Sequence, residues 1–148
     1  MRIVPVTDAD LPELLPLVRA YCDFYEVAPS DDDLLSLSRA LIADRENEGM
    51  QLIARDEAGS AIGFATVYWS WSTLDASRIG VMYDLFVDPV ARRSGVGRAL
   101  IEACAERCRE HSVPILTWET APDNETAQAL YDSLGARGEP WIVYELET

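Results

Sequence analysis

The stretch Val87-Asp88-Pro89-Val90-Ala91-Arg92-Arg93-Ser94-Gly95-Val96-Gly97-Arg98-Ala99-Leu100 decides the fold. The β-rich run before it, residues 79–87, reads as a strand. Pro89 ends that strand, because proline cannot donate to a sheet ladder. Two arginines and a Gly-x-Gly pair follow. Residues 95–109 then place Val96, Ala99, Leu100, Ala103 and Cys104 on one face of a helix. Backbone N–H groups at a helix start point outward and carry partial positive charge, so they bind phosphate. Glycine lets a ligand approach the backbone without a Cβ in the way. Arginine adds charge and forked donors.

The kind of phosphate ligand follows by exclusion. A mononucleotide P-loop closes on Gly-Lys-Ser/Thr, but all 12 basic residues of this chain are arginines. A dinucleotide fingerprint needs Gly-x-Gly-x-x-Gly with an acid about twenty residues on. Only Gly-x-Gly is present. An Arg-x-x-Gly-x-Gly loop for a pyrophosphate remains.

Outward from this loop, the chain alternates short β-rich and helical patterns. Residues 2–6 predict a strand, and Thr7 or Asp8 caps a helix carrying Leu11, Leu14, Leu15, Val18, Tyr21 and Cys22. Ser30 opens a second helix with Asp31, Asp32 and Asp33 at its positive end. Residues 50–55 and 61–71 predict a hairpin around Asp56-Glu57-Ala58-Gly59-Ser60. Residues 114–120 predict a strand, 124–134 a helix ended by Gly135, and 141–146 a closing strand. The expected order is β-α-α-β-β-β-α-β-α-β. This is an α/β (α+β) domain over residues 1–148, with hairpins antiparallel and a late crossover helix that lets two strands run parallel.

Composition bounds the partners. The 148 residues carry 12 arginines against 26 acids, a net charge of −14, and 49% are hydrophobic. That apolar content argues against disorder. The charge disfavours nucleic acid and anionic membrane surfaces and favours cations. The field is uneven. The first sixty residues hold 13 acids and 5 arginines, whereas residues 89–98 hold three arginines and no acid. Cys22, Cys104 and Cys108 form no Cys-x-x-Cys. With His111 the only histidine, no metal-ligand set emerges, and free thiols in a reducing cytoplasm are expected. The start Met1-Arg2-Ile3-Val4-Pro5 is too short an apolar run for a signal peptide. No apolar stretch is long enough to span a bilayer.

The strand, the Val-Asp-Pro turn and the match of Arg92, Gly95 and Gly97 to Arg-x-x-Gly-x-Gly resemble the central motif of the GNAT superfamily of N-acetyltransferases. Asn124, Tyr131 and Leu134-Gly135 match its later motif. The similarity covers essentially the whole chain. Asp23-Phe24-Tyr25-Glu26-Val27, the strand before the loop and Tyr144 look like acetyltransferases of histone tails, polyamines, D-amino acids, diamines and some aminoglycosides.

The resemblance implies a mixed, mostly antiparallel sheet of about six to seven strands with about four helices. It implies acetyl-CoA as cosubstrate, lying between two splayed strands. Main-chain groups of Leu85, Phe86 and Val87 would pair with its pantetheine arm. Arg92, Arg93, Ser94, Gly95, Val96, Gly97 and Arg98 would hold the pyrophosphate, and Asn124 would touch the cofactor. Where many members carry glycine, this loop has Arg93-Ser94. Tyr131 is placed as the acid for the leaving thiolate. A phenol near pKa 10 and a thiol near about 8.5 make that transfer uphill by roughly two kcal/mol.

Two carboxylates, Asp84 and Glu119, are candidates for the base, since an alkylamine with a pKa of about 10.4 arrives protonated. Asp84 alternates with Leu85 and so has a solvent-facing alternative. Trp69, Trp71 and Trp118 could line a cationic pocket, with core packing as the alternative. Glu26, Asp31, Asp32 and Asp33 form a candidate rim for an amine, or an ordinary acidic helix start. The expected activity is acetyl transfer to a primary amine of a small cationic acceptor: polyamine, amino acid or aminoglycoside. A peptide amine and a non-catalytic acyl-CoA sensor are the alternatives. A homodimer through residues 141–146 is the expected assembly.

Overall fold

The turn at 56–60 closes a hairpin. Asp56 N–H donates to the Ser60 carbonyl at 3.0 Å, Ser60 N–H donates to Asp56 Oδ1 at 2.9 Å, and Gly59 takes φ +91°. It joins β2 (Gly49–Arg55) to β3 (Ala61–Ser72). The computed structural model describes residues 1–148, in two units, Met1–Trp118 and Glu119–Thr148. The first also holds β1 (Arg2–Pro5), α1 (Leu11–Phe24), α2 (Asp31–Ala43), β4 (Ser77–Val87), α3 (Val96–Glu110) and β5 (Leu116–Thr117). The second holds α4 (Glu125–Ser133). The five strands lie in sequence order in one sheet, antiparallel except for the parallel pair β4–β5. No helix is long and apolar enough to cross a membrane.

Both faces of the sheet are covered, which is why every residue of β2 is buried. Val6, Leu11, Leu14, Leu17, Ile53, Phe64 and Phe86 form one core layer beneath α1. Each such side chain contributes about 1.5–3 kcal/mol of burial. On the other face α3 brings Leu100, Cys104 and Cys108 inward. Burial pushes the Cys104 thiol up to about 12 and the Cys108 thiol to about 11, so both stay protonated and pack as small apolar groups. The helix signals act where the sequence places them. Ser30 Oγ accepts from Asp33 N–H at 3.1 Å. In the second unit Gly135, at φ +79°, ends α4, with its N–H on the Asp132 carbonyl and Ala136 N–H on that of Tyr131.

Two features of β4 shape the site. Its register with β3 moves from Thr66↔Asp84 to Val67↔Met82, so Tyr83 is an extra, bulged residue. Its pairing with β5 stops after Gly80↔Leu116 and Val81↔Thr117. Beyond that point the outer edge of β4 has no strand beside it.

The sheet has five strands, fewer than the six to seven expected. Residues 114–120 yield only Leu116–Thr117, since Pro114 has no N–H to donate and the chain leaves β4 after Thr117. Residues 141–146 form no strand. Trp141, Ile142, Val143, Tyr144 and Leu146 are all exposed, and a β-rich segment becomes a strand only against a partner.

Candidate active site

The loop after β4 is a built structure. Asp88 N–H donates to the Ile62 carbonyl at 2.9 Å, and its Oδ1 accepts from Val90 N–H at 2.9 Å, fixing a single 3₁₀ turn, Pro89–Ala91. Arg92 Nε donates to the Val87 carbonyl at 3.1 Å, and Ser94 Oγ donates to that of Ala91 at 2.5 Å. Arg93 sits in the left-handed region at φ +64°, as does Gly95 at φ +83°. Gly95 occupies the cap position of α3, and no side chain caps the helix. A Cβ placed on Gly95 meets no atom within 4 Å, so the space outside it is open. The positive end of α3 therefore faces an accessible, arginine-flanked turn, which fits a diphosphate. Arg98 is also tied to Glu102 at 3.5 Å.

Directly upstream, Phe86 turns its ring into the core while its backbone lies on the open β4 edge with those of Leu85 and Val87. Two residues before Phe86 on the same face is Asp84. Plain alternation from Phe86 keeps Asp84 with Phe64 and Thr66 on the face beneath α1, and the bulge at Tyr83 shifts the register only from Met82 back. Burial lifts the Asp84 carboxyl above its ordinary range, and hydrogen bonds from Thr66 and Tyr21 pull against that lift. Burial, then the Asp84 charge, pushes the Tyr68 phenol up to about 12 and raises that of Tyr21 further. Both stay neutral donors at any working pH. Tyr21 also approaches the Tyr83 carbonyl at 3.4 Å. Neither Tyr21 nor Thr66 stood out in the sequence as a site residue. Tyr21 reads there as part of an apolar stripe, and the Thr66–Asp84 pairing joins cross-strand neighbours that no local pattern reveals.

The other candidates divide. Trp69 does not join Asp84. It is 8% exposed, donates from Nε1 to the Arg45 carbonyl at 2.8 Å and stacks on His111 at 4.7 Å, on the α3 face. Trp71 is exposed, and Arg78 of the same chain covers its ring at 5.1 Å. Trp118, half-buried, follows β5. Glu119 is exposed and lies on no strand, in contrast to the strand end expected for it, because β5 ends at Thr117. In the acidic rim, Asp31 is paired with Arg19 and Asp33 with Ser30, while Glu26 and Asp32 are exposed. In the second unit Asn124 caps α4, its Oδ1 accepting from Ala127 N–H at 3.2 Å, and Tyr131 is half-buried on that helix.

An uncapped helix start behind a glycine turn, continuous with a strand edge open beyond a bulge, defines an α/β protein suited to a diphosphate-bearing ligand. A model of the acetyltransferase (GNAT) family matches residues 14–136, and the chain belongs to that family. It is 31% identical to an uncharacterized N-acetyltransferase, YhfO, of Bacillus subtilis, over 97% of this chain and 95% of that one. It is 25% identical to a thialysine N-epsilon-acetyltransferase of Caenorhabditis elegans, over 99% and 91%. The crystal structure of a probable acetyltransferase matches with a TM-score of 0.86 at 29% identity, over 100% of this chain and 98% of that one. The protein is an acyltransferase with acetyl-CoA as cosubstrate.

Proposed function

We propose that the chain acetylates a primary amine of a small, cationic acceptor by direct transfer, with Asp84 as the base. The observation that carries this reading is Asp84 itself. It is a partly desolvated carboxylate beside the open β4 edge, its carboxyl raised by burial and held by two neutral donors. A base raised toward working pH accepts a proton more readily than an ordinary carboxylate. The net charge of −14 and the exposed Glu26 and Asp32 favour a cationic acceptor, and a relative named for acetylating thialysine at Nε supports an amino-acid-like amine.

Acetyl-CoA supplies the thioester carbonyl. The first-turn N–H groups of α3, with Arg92, Arg93 and Ser94, hold the diphosphate, and the backbone of Leu85, Phe86 and Val87 aligns the pantetheine arm. Asp84 takes the ammonium proton and exposes the lone pair. The amine attacks the thioester carbon. As the C–N bond forms and the C–S bond breaks, Tyr131 gives its proton to the departing sulfur. The second proton leaving nitrogen restores the Tyr131 phenol through solvent, and Asn124 fixes the start of the helix that carries Tyr131. Glu119 is the alternative base, and Asp31 and Trp118 are candidates for acceptor binding.

Free-thiol detection of CoA across polyamines, D- and L-amino acids, aminoglycosides and short peptides tests this reading. Release with a small cationic amine supports it. Release with peptides alone selects the peptide alternative. CoA binding without any release selects the sensor. We further propose a homodimer through residues 141–146, because five large apolar or aromatic side chains there are 64–88% exposed. Sedimentation of a chain ending at Pro140 should then show monomer where the full chain shows dimer, and a full chain that sediments as monomer contradicts it.

A further inference from the structure

Beside Asp84, the α1 face of the sheet carries a short polar chain in otherwise apolar surroundings. Gln51, Thr66 and Asp84 lie side by side on β2, β3 and β4. Gln51 is 5% exposed and Thr66 is 0% exposed. Gln51 Nε2 donates to Thr66 Oγ1 at 3.3 Å. That bond fills a lone pair of the threonine and leaves its one proton for the Asp84 carboxylate. Gln51 Oε1 has no hydrogen-bond partner although it is buried. With the amide turned the other way, the orphan oxygen could accept the threonine proton and take it from Asp84. With Nε2 on the hydroxyl oxygen, Thr66 stays a donor.

Tyr21 completes the arrangement from α1. Its ring is fixed edge-on against Tyr25 at 5.0 Å, Phe64 at 5.8 Å and Phe86 at 6.4 Å. Its hydroxyl lies between the Tyr83 carbonyl and the Asp84 carboxylate. The carbonyl at 3.4 Å is a long acceptor for the phenol proton, and the Asp84 carboxylate is a second acceptor beside it. The ionisable groups around Asp84 are Tyr21 and Cys22 from α1, Tyr68 from β3 and Tyr83 from β4, with Tyr25 behind Tyr21. None of these is a basic side chain, so no cation holds the carboxylate. Only neutral donors do.

We propose that Tyr21 and Thr66, the latter oriented by Gln51, are positioning residues that hold Asp84 as an anion in one geometry at the open edge of β4. This inference rests on the reading of Asp84 as the base. It goes further by assigning how the fold keeps a half-buried carboxylate both ionised and basic. The two donors limit how far burial can raise the carboxyl, and they aim its remaining lone pairs away from the core.

The test is a carbon-detected NMR titration of the side-chain carboxyls in the free protein, with Asp84 assigned by the signal missing in Asp84→Asn. In Tyr21→Phe the ring packing stays and the donor goes, so the Asp84 midpoint should move up. Thr66→Val should move it the same way, and Thr66→Ser should leave it at the wild-type position. With an amine that supports CoA release, kcat/KM of Tyr21→Phe on the acid limb should fall about ten-fold or more, as loss of a charge-assisted bond implies. KM for acetyl-CoA should not change. An Asp84 midpoint in folded Tyr21→Phe that coincides with wild type overturns the proposal. If Tyr21→Phe does not fold, equal midpoints in Thr66→Val and Thr66→Ser overturn it. Failure of the underlying reading is separate: Asp84→Asn would keep wild-type turnover.

Discussion

Replacing Asp84 by Asn should separate activity from stability. The amide has the shape of the carboxylate and can still accept from Tyr21 or Thr66, but it takes no proton. In the wild type, burial raises the folded carboxyl above the ordinary range despite those two donors. The folded chain therefore binds a proton at Asp84 more tightly than the unfolded chain. The associated stability is full below the ordinary carboxylate range and is lost as pH rises through the raised folded value. Near neutral pH the wild type carries a partly buried anion that the variant lacks. A gain on the order of 1 kcal/mol is typical where a functional group opposes stability. For a chain of this size it raises Tm by about 2–4 °C. Thermal melts should show Asp84→Asn above wild type at about pH 7, with the gap closing toward about pH 3. Turnover at about pH 7 should fall roughly 10²- to 10⁴-fold, the range for losing a general base. A variant that melts below wild type at neutral pH, or a gap that widens toward acid, would refute the reasoning, because the Asp84 charge would then stabilise the fold.

Three further outcomes follow from the structure. Arg55, 7% exposed, donates to Asp10 at 2.7 Å, Glu13 at 2.8 Å and the Gly59 carbonyl at 2.9 Å. Since Glu13 is half exposed, Arg55→Met should cost about 2 kcal/mol, less than a fully buried pair, and lower Tm by about 4–8 °C. Burial opposes ionisation of Asp10, but bonds from Thr7 and Arg55 outweigh it. Arg55 likewise holds Glu13 below its usual range. Their stabilisation is present above the ordinary carboxylate range and fades as pH falls through the lowered values, so the acid slope of wild-type Tm should flatten in the variant. Gly95→Ala places a side chain at φ +83°, at a strain of about 1 kcal/mol. It also intrudes on the diphosphate turn, so KM for acetyl-CoA should rise at least about five-fold with kcat little changed. In Gly80→Ala the new Cβ would stand 2.7 Å from Cys108 Sγ, costing about 1–3 kcal/mol. Chemical denaturation should show Cys108→Ala recovering part of that loss in the double variant.

What was legible in the sequence was local. Pro89, the arginines and Gly95 announce the strand, turn and helix start because each acts within a few residues of itself. The helix starts at Ser30 and Asn124 and the stop at Gly135 are equally local. What was not legible depended on neighbours. The apolar runs at 114–120 and 141–146 have strand composition, but pairing decides strands, and only Leu116–Thr117 finds a partner. Strict alternation leaves Asp84 a solvent-facing alternative. Its in-register pairing with Thr66, two residues along from Phe64↔Phe86, puts it beneath α1. Trp69 belongs to the opposite face, where His111 and the Arg45 carbonyl use its ring and its N–H. The motifs thus marked the cofactor loop, while the acceptor side was set by sheet register.

The central claim is amine acetylation with protonation of the departing thiol, and paired measurements on wild type and Tyr131→Phe test it most directly. CoA thiol release with an amine panel should be steady for wild type. It should be slower by about 10²-fold or more for Tyr131→Phe, with CoA affinity by calorimetry equal in the two proteins. Equal CoA binding with no amine-dependent release from the wild type would contradict the account.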